Sequence, residues 1–118
     1  QEADAFQEQL SCYGHFRSGS DVCSQVETFD LLITATSGSL HGELPPLPSG
    51  IFAAESLAYD MMYGDGCTPF LQFARKQGAP HLADGIGMLV EQAAESFFLW
   101  RGIRPKTDPV IEMLKSYA

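Results

Sequence analysis

Residues Asp84 to Trp100, DGIGMLVEQAAESFFLW, carry the stretch that decides how the chain is organised. Asp84 is a good N-cap, because its carboxylate can accept hydrogen bonds from first-turn amides that have no partner inside a helix. From there Ile86, Leu89, Val90, Ala93, Phe97 and Trp100 recur at helical spacing and make one broad apolar face. A face that wide marks a core element rather than an ordinary surface helix. Offsets of three and then four place Gly85, Met88 and Gln92 in one line along the same helix. A glycine there admits close approach to the backbone, a methionine offers a soft apolar contact, and an amide donor and acceptor follows a turn later. That line has the make-up of a ligand-site wall. It is equally the make-up of a solvated face with a filler methionine, and spacing alone favours the latter.

Working outward, His81-Leu82-Ala83 leads into this helix. Before it, Thr68-Pro69 opens another helix with an N-cap and a proline at N1; Phe70, Phe73 and Ala74 form its apolar stripe, Arg75 and Lys76 complement its C-terminal dipole, and Gly78 ends it. Leu57 to Tyr63, LAYDMMY, reads as a strand. Period two puts Tyr59, Met61 and Tyr63 on one face and Ala58, Asp60 and Met62 on the other, so Met61 and Tyr63 share a side at the carboxyl end, where open α/β sheets bind ligands. Phe29 to Ser37, FDLLITATS, is an almost unbroken apolar and β-branched run that suits a strand of a parallel sheet buried on both faces. The proline-rich segment between the strands, GSLHGELPPLPSG, is a loop.

At the ends, Glu2 to Tyr13 reads as a helix closed by Gly14, His15 to Arg17 as a short strand, and Ser20-Asp21 as the cap of a helical turn carrying Val22 and Val26. Thr107-Asp108-Pro109 starts a last helix in which Val110, Ile111, Met113, Leu114 and Tyr117 are available for packing. The order is that of half a doubly wound α/β fold. A sheet of two or three strands leaves an edge that needs a partner.

With 118 residues the chain is one domain, able to bury roughly 65% of its unfolded surface. A formal charge of −8 with no basic run argues against nucleic acid and against an anionic membrane as partners. Cys12, Cys23 and Cys67 are an odd number without framework spacing, which fits a reducing, cytoplasmic compartment. No apolar run approaches the length of a membrane span, and no signal peptide is recognisable. Gly85-Ile86-Gly87 lacks the third glycine of a dinucleotide fingerprint. Cys12, His15 and Cys23 lack a second ligand pair, so no metal site is expected, and no G-x-S-x-G elbow marks an activated serine.

The combination FDLLITATS, GELPPLP, YDMMYGDGCTPFL and ADGIGMLVEQAAESFFLWRG resembles the carboxy-terminal part of shikimate dehydrogenase of the bacterial biosynthetic type, from about Phe29 to the end of the chain. The resemblance implies that residues 1–118 are the carboxy-terminal portion of a Rossmann-like NADP-binding domain, with its C-terminal helices and without the first βαβ unit. It implies an oxidoreductase that reversibly reduces 3-dehydroshikimate to shikimate with NADPH, in the route to chorismate and the aromatic amino acids. By the same resemblance Met61, Gly85 and Met88 meet the nicotinamide end of the cofactor, Thr36 lies in a loop beside it, and Tyr63 and Gln92 hydrogen-bond shikimate. The family often has Asn-Ala-Thr where this chain has Thr34-Ala35-Thr36. The family's catalytic Lys and Asp, its glycine-rich pyrophosphate loop and its Asn-Arg-Thr segment are expected upstream of Gln1. The chain would then hold no catalytic residue, depend on the amino-terminal part of the same protein, and be silent in isolation; a homodimer is compatible with this reading. Two other readings stay open, a sister enzyme using quinate or NAD and a non-catalytic α/β interaction module.

Overall fold

The computed structural model describes residues 27–36, 42, 44, 47–64 and 66–117. The helix read at Glu2 to Tyr13, the strand at His15 to Arg17 and the helical turn at Ser20 to Val26 lie outside them. The apolar run after Thr28 forms strand β1 (Phe29–Thr34), and the stretch leading to the YDM motif forms β2 (Phe52–Asp60). Helix α1 (Pro69–Lys76) joins β2 to a short β3 (His81–Ala83), and α2 (Ile86–Arg101) and α3 (Asp108–Tyr117) follow. The three strands make one parallel sheet in the order β1-β2-β3. Parallel neighbours require a crossover, and α1 is the crossover from β2 to β3.

Helix α1 is specified at both ends by its own residues. The Thr68 hydroxyl accepts a hydrogen bond from the Leu71 amide at 3.4 Å, and Pro69 occupies the first turn, where no amide hydrogen is needed. At the other end the Ala79 amide donates to the Ala74 carbonyl and the Gly78 amide to that of Arg75, the paired bonds of a Schellman stop. That stop needs a left-handed residue, and Gly78 has φ 90°. The buried face of α1, Phe70, Leu71 and Ala74, packs with Ala58 and Ala79, and Leu32, Phe52 and Leu82 close around them. Leu32, Ala58 and Leu82 are in register across the three strands, so one face of the sheet meets one face of the helix. Phe52 adds tilted ring contacts to Phe70 and Phe73, at 6.4 and 6.0 Å between centroids.

Four expectations change. First, β1 is not buried on both faces: Leu31 and Ile33, which alternate with Leu32, are 52% and 57% exposed. Helical cover reaches only the Leu32 side among the described residues. Second, β2 lies earlier than Leu57 to Tyr63 and stops at Asp60, because the fully buried Asp60 carboxylate accepts the Met62 amide at 2.9 Å and bends the chain. Met61 and Tyr63 therefore sit beyond the strand, and their facing does not follow from strand parity. Third, His81-Leu82-Ala83 is a strand rather than a lead-in; at three residues it shows no period of its own. Fourth, α2 is a core element only over its first nine residues. Ile86, Val90 and Ala94 are buried, whereas Ala93, Phe97 and Trp100 are exposed. The last helix forms as read, with Ile111 and Leu114 half-buried.

Candidate functional site

Backbone hydrogen bonds join three segments at the carboxyl ends of β1 and β2 and the start of α2. The Met61 amide donates to the Thr34 carbonyl at 2.9 Å, extending the β1–β2 ladder by one residue past Asp60. The Gly85 amide donates to the Met62 carbonyl at 3.2 Å, and the Gly85 carbonyl accepts from Leu89 to begin α2. The helix N-cap is Gly85, one residue later than the sequence suggests, but the Asp84 carboxylate still binds the first turn, accepting the Ile86 amide at 3.1 Å.

Contact at this junction is close. Gly85 is buried, and a methyl group on its Cα would overlap the Met61 carbonyl oxygen, lie 2.8 Å from the Met61 carbonyl carbon and lie 3.3 Å from Cδ1 of Tyr63. What approaches the Gly85 backbone in this fold is thus the peptide of Met61, with the Tyr63 ring beside it. Met61 is half-buried and Tyr63 is 43% exposed. Gln92 follows Gly85 by seven residues, about two turns, on the same line of α2 and is exposed. Neither the Tyr63 hydroxyl nor the Gln92 side-chain amide hydrogen-bonds another described residue; only the Gln92 backbone carbonyl is engaged, by the Ser96 hydroxyl. Thr36 is exposed two residues beyond β1, its hydroxyl 3.5 Å from that of the buried Thr34.

Met88 borders a different space. It lines a cleft of about 490 Å³ with Tyr59, Cys67, Arg75, Asp84 and Lys115, and none of the other five candidate residues lines that cleft. The structure therefore brings Met61, Tyr63 and Gly85 together, carries Gln92 up the same helix, sets Thr36 at the neighbouring strand end and separates Met88 onto the cleft. Sequence reading missed Asp60 and Thr34, which hold this junction through the Met62 amide and the Met61 amide. An aspartate closing an apolar run just before a turn-rich segment is the signal that could have found the first of them.

Beside Gln92, the Glu91 carboxylate is the hub of a surface clasp. The Thr107 hydroxyl donates to it at 2.6 Å and Arg104 at 2.7 Å, while Arg104 also pairs with Glu95. The Thr107 hydrogen bond, then Arg104, hold the Glu91 carboxyl below its ordinary pKa. This clasp fixes the α2–α3 connection. Among the described residues no group of three His, Cys, Asp or Glu side chains could hold a metal ion, and no helix is long and apolar enough to cross a membrane.

The family model for the Shikimate 5'-dehydrogenase C-terminal domain matches residues 85–115, beginning at the junction glycine. A relative named shikimate dehydrogenase (NADP(+)), from Nitrosospira multiformis, is 65% identical over 116 residues, 98% of this chain and 42% of the relative. The chain belongs to the shikimate dehydrogenase family. Its fold agrees with solved members. An Ael1 enzyme from Pseudomonas putida matches with a TM-score of 0.77 and 48% identity over 95% of this chain and 41% of that one. A shikimate 5-dehydrogenase from Thermus thermophilus, solved in complex with NADP(H) and shikimate, matches with a TM-score of 0.64 and 32% identity over 75% of this chain and 34% of that one. The chain spans about two-fifths of the length of the relatives it matches. Its parallel sheet and helices are accordingly a part of a Rossmann-like shikimate dehydrogenase fold.

Proposed function

We propose that residues 1–118 are the carboxy-terminal portion of the NADP-binding domain of a cytoplasmic, NADP-dependent shikimate dehydrogenase, and that they supply one wall of the cleft in which 3-dehydroshikimate and shikimate interconvert. The observation carrying this reading is the junction itself: the Tyr63 ring rests against Gly85 at the foot of α2, Gln92 continues the same line, and both polar ends are open and unbonded among the described residues. A hydroxyl and an amide so placed suit a small polyhydroxylated acid, since each can donate and accept.

When bound, the cofactor would supply hydride to the ketone carbon, and a proton donor of the full-length protein would protonate the ketone oxygen. Residues here bind and orient. Met61, at the junction with Gly85 and Tyr63, offers apolar thioether contact suited to the face of a nicotinamide ring, whereas Met88 faces the separate cleft. Two of the three amides of the Gly85-Ile86-Gly87 turn are already engaged, Gly85 by the Met62 carbonyl and Ile86 by the Asp84 carboxylate, and the turn lacks the third glycine of a dinucleotide fingerprint. The pyrophosphate is accordingly assigned in this proposal to another loop of the full-length protein. The amino-terminal part of the same protein is also the partner that covers the apolar surface left by this chain, in which Leu99 and Trp100 are 74% and 79% exposed.

In the full-length enzyme, Tyr63→Phe and Gln92→Ala are each expected to lower kcat/KM for shikimate roughly 3- to 30-fold. Both positions are exposed, so the melting temperature should stay within about 2 °C. Undiminished shikimate turnover in both variants would contradict the proposal and favour an interaction module, whereas a preference for quinate or NAD in the unsubstituted enzyme would assign the sister activity. The 118-residue chain alone is expected not to reduce NADP with shikimate.

A further inference from the structure

We propose that Gly85 is a positioning residue, setting how closely α2 docks on the turn after β2 and so holding Tyr63 and Gln92 at one separation; the inference rests on their reading as substrate ligands. The backbone at Gly85 has φ −78° and ψ −3°, a conformation open to any residue. Glycine is required here by space, not by torsion. The missing methyl would overlap the Met61 carbonyl oxygen and press on Tyr63 Cδ1 at 3.3 Å.

Neither side of that contact can swing away cheaply. Met61 lies between the buried Asp60 turn and its own hydrogen bond to Thr34, both tied to the sheet. On the helix side, Gly85 is bonded to Met62, and Ile86, the next residue, is buried and held by Asp84. A side chain at position 85 therefore drives α2 off the turn and moves the Tyr63 ring. A displacement on the order of 1 Å at a binding wall can lower turnover by about 100-fold. Gly87, on the same first turn, is the internal contrast, because a methyl there would meet nothing within 4 Å.

The test compares Gly85→Ala, Gly87→Ala, Tyr63→Phe and the Gly85→Ala/Tyr63→Phe double variant in the full-length enzyme. Gly85→Ala is expected to raise KM for shikimate and lower kcat/KM roughly 10- to 100-fold, and Gly87→Ala to stay within about twofold. The deciding readout is coupling: Tyr63→Phe should cost severalfold in the native background and less than about twofold beside Gly85→Ala. General destabilisation leaves the Tyr63→Phe cost unchanged. A Tyr63→Phe effect that is equal in both backgrounds, or near-native kcat/KM in Gly85→Ala, overturns the positioning role alone. Tyr63→Phe without effect in either background overturns the substrate-ligand reading and this proposal with it. If Gly85→Ala fails to fold, Asp84→Ala decides, since it frees the Ile86 amide and loosens the same helix start without a clash. It should raise KM for shikimate severalfold and shrink the Tyr63→Phe cost, and strict additivity there also overturns the proposal.

Discussion

Helix α1 buries Phe70, Leu71 and Ala74 against the sheet, whereas α2 buries Ile86, Val90 and Ala94 and leaves Phe97, Phe98, Leu99 and Trp100 open. Their ends do not account for the difference. Both close on a left-handed glycine, Gly78 at φ 90° and Gly102 at φ 72°, and both carry basic residues in the last turn. Capping and periodicity act locally and set where a helix runs; burial needs a second surface, which among the described residues the sheet gives to Phe70, Leu71 and Ala74 of α1 and nothing gives to the last turn of α2. The comparison separates what the described residues bury among themselves from the apolar surface they leave open.

The largest expected effect breaks the α1 side. Phe70→Ala removes a buried ring from between Ala58, Phe52 and Ala74 and should cost about 3–5 kcal/mol in the full-length protein, read from urea unfolding. A cost under about 1 kcal/mol would mean that α1 does not anchor the sheet. Trp100→Ala sharpens the α2 side. If the amino-terminal part covers this surface, the substitution should cost on the order of 3 kcal/mol in the full-length protein, as for a buried aromatic residue. A value within about 0.5 kcal/mol would show that Trp100 faces solvent there too.

The smallest effect concerns the clasp at the α2–α3 connection. Because the folded-state pKa of Glu91 is depressed, its contribution is fully present above the ordinary glutamate range, about 4.3, and is lost as pH falls through the lower folded value. Glu91→Gln should therefore flatten the acid limb of the stability-against-pH curve and leave the shape of the curve near neutrality unchanged. An identical acid limb in the variant would show that the clasp adds nothing to stability.

The legible parts of the sequence are those where one residue acts on its close neighbours. Thr68, Pro69, Arg75 and Gly78 bracket α1 as read, and the Thr107-Asp108-Pro109 start of α3 holds as well. Long-range effects were hidden. Three-residue β3 exists because Leu57 to Tyr59 of β2 offer it a ladder, and Asp60 ends β2 by a side-chain bond that no period reveals. For the site, helical arithmetic put Gly85, Met88 and Gln92 on one line, yet Met88 opens onto a separate cleft, and Tyr63 reaches Gly85 through a turn rather than along a strand. That something approaches the Gly85 backbone was legible, but that it is the Met61 peptide was not, since the contact joins residues 24 positions apart.

The most direct test of the central claim is a crystal structure of the full-length enzyme with shikimate bound. The Tyr63 hydroxyl and the Gln92 side-chain amide should each lie within about 3.2 Å of a shikimate oxygen. Shikimate seated in the cleft with both groups beyond about 4 Å, or turned away from it, would contradict the account.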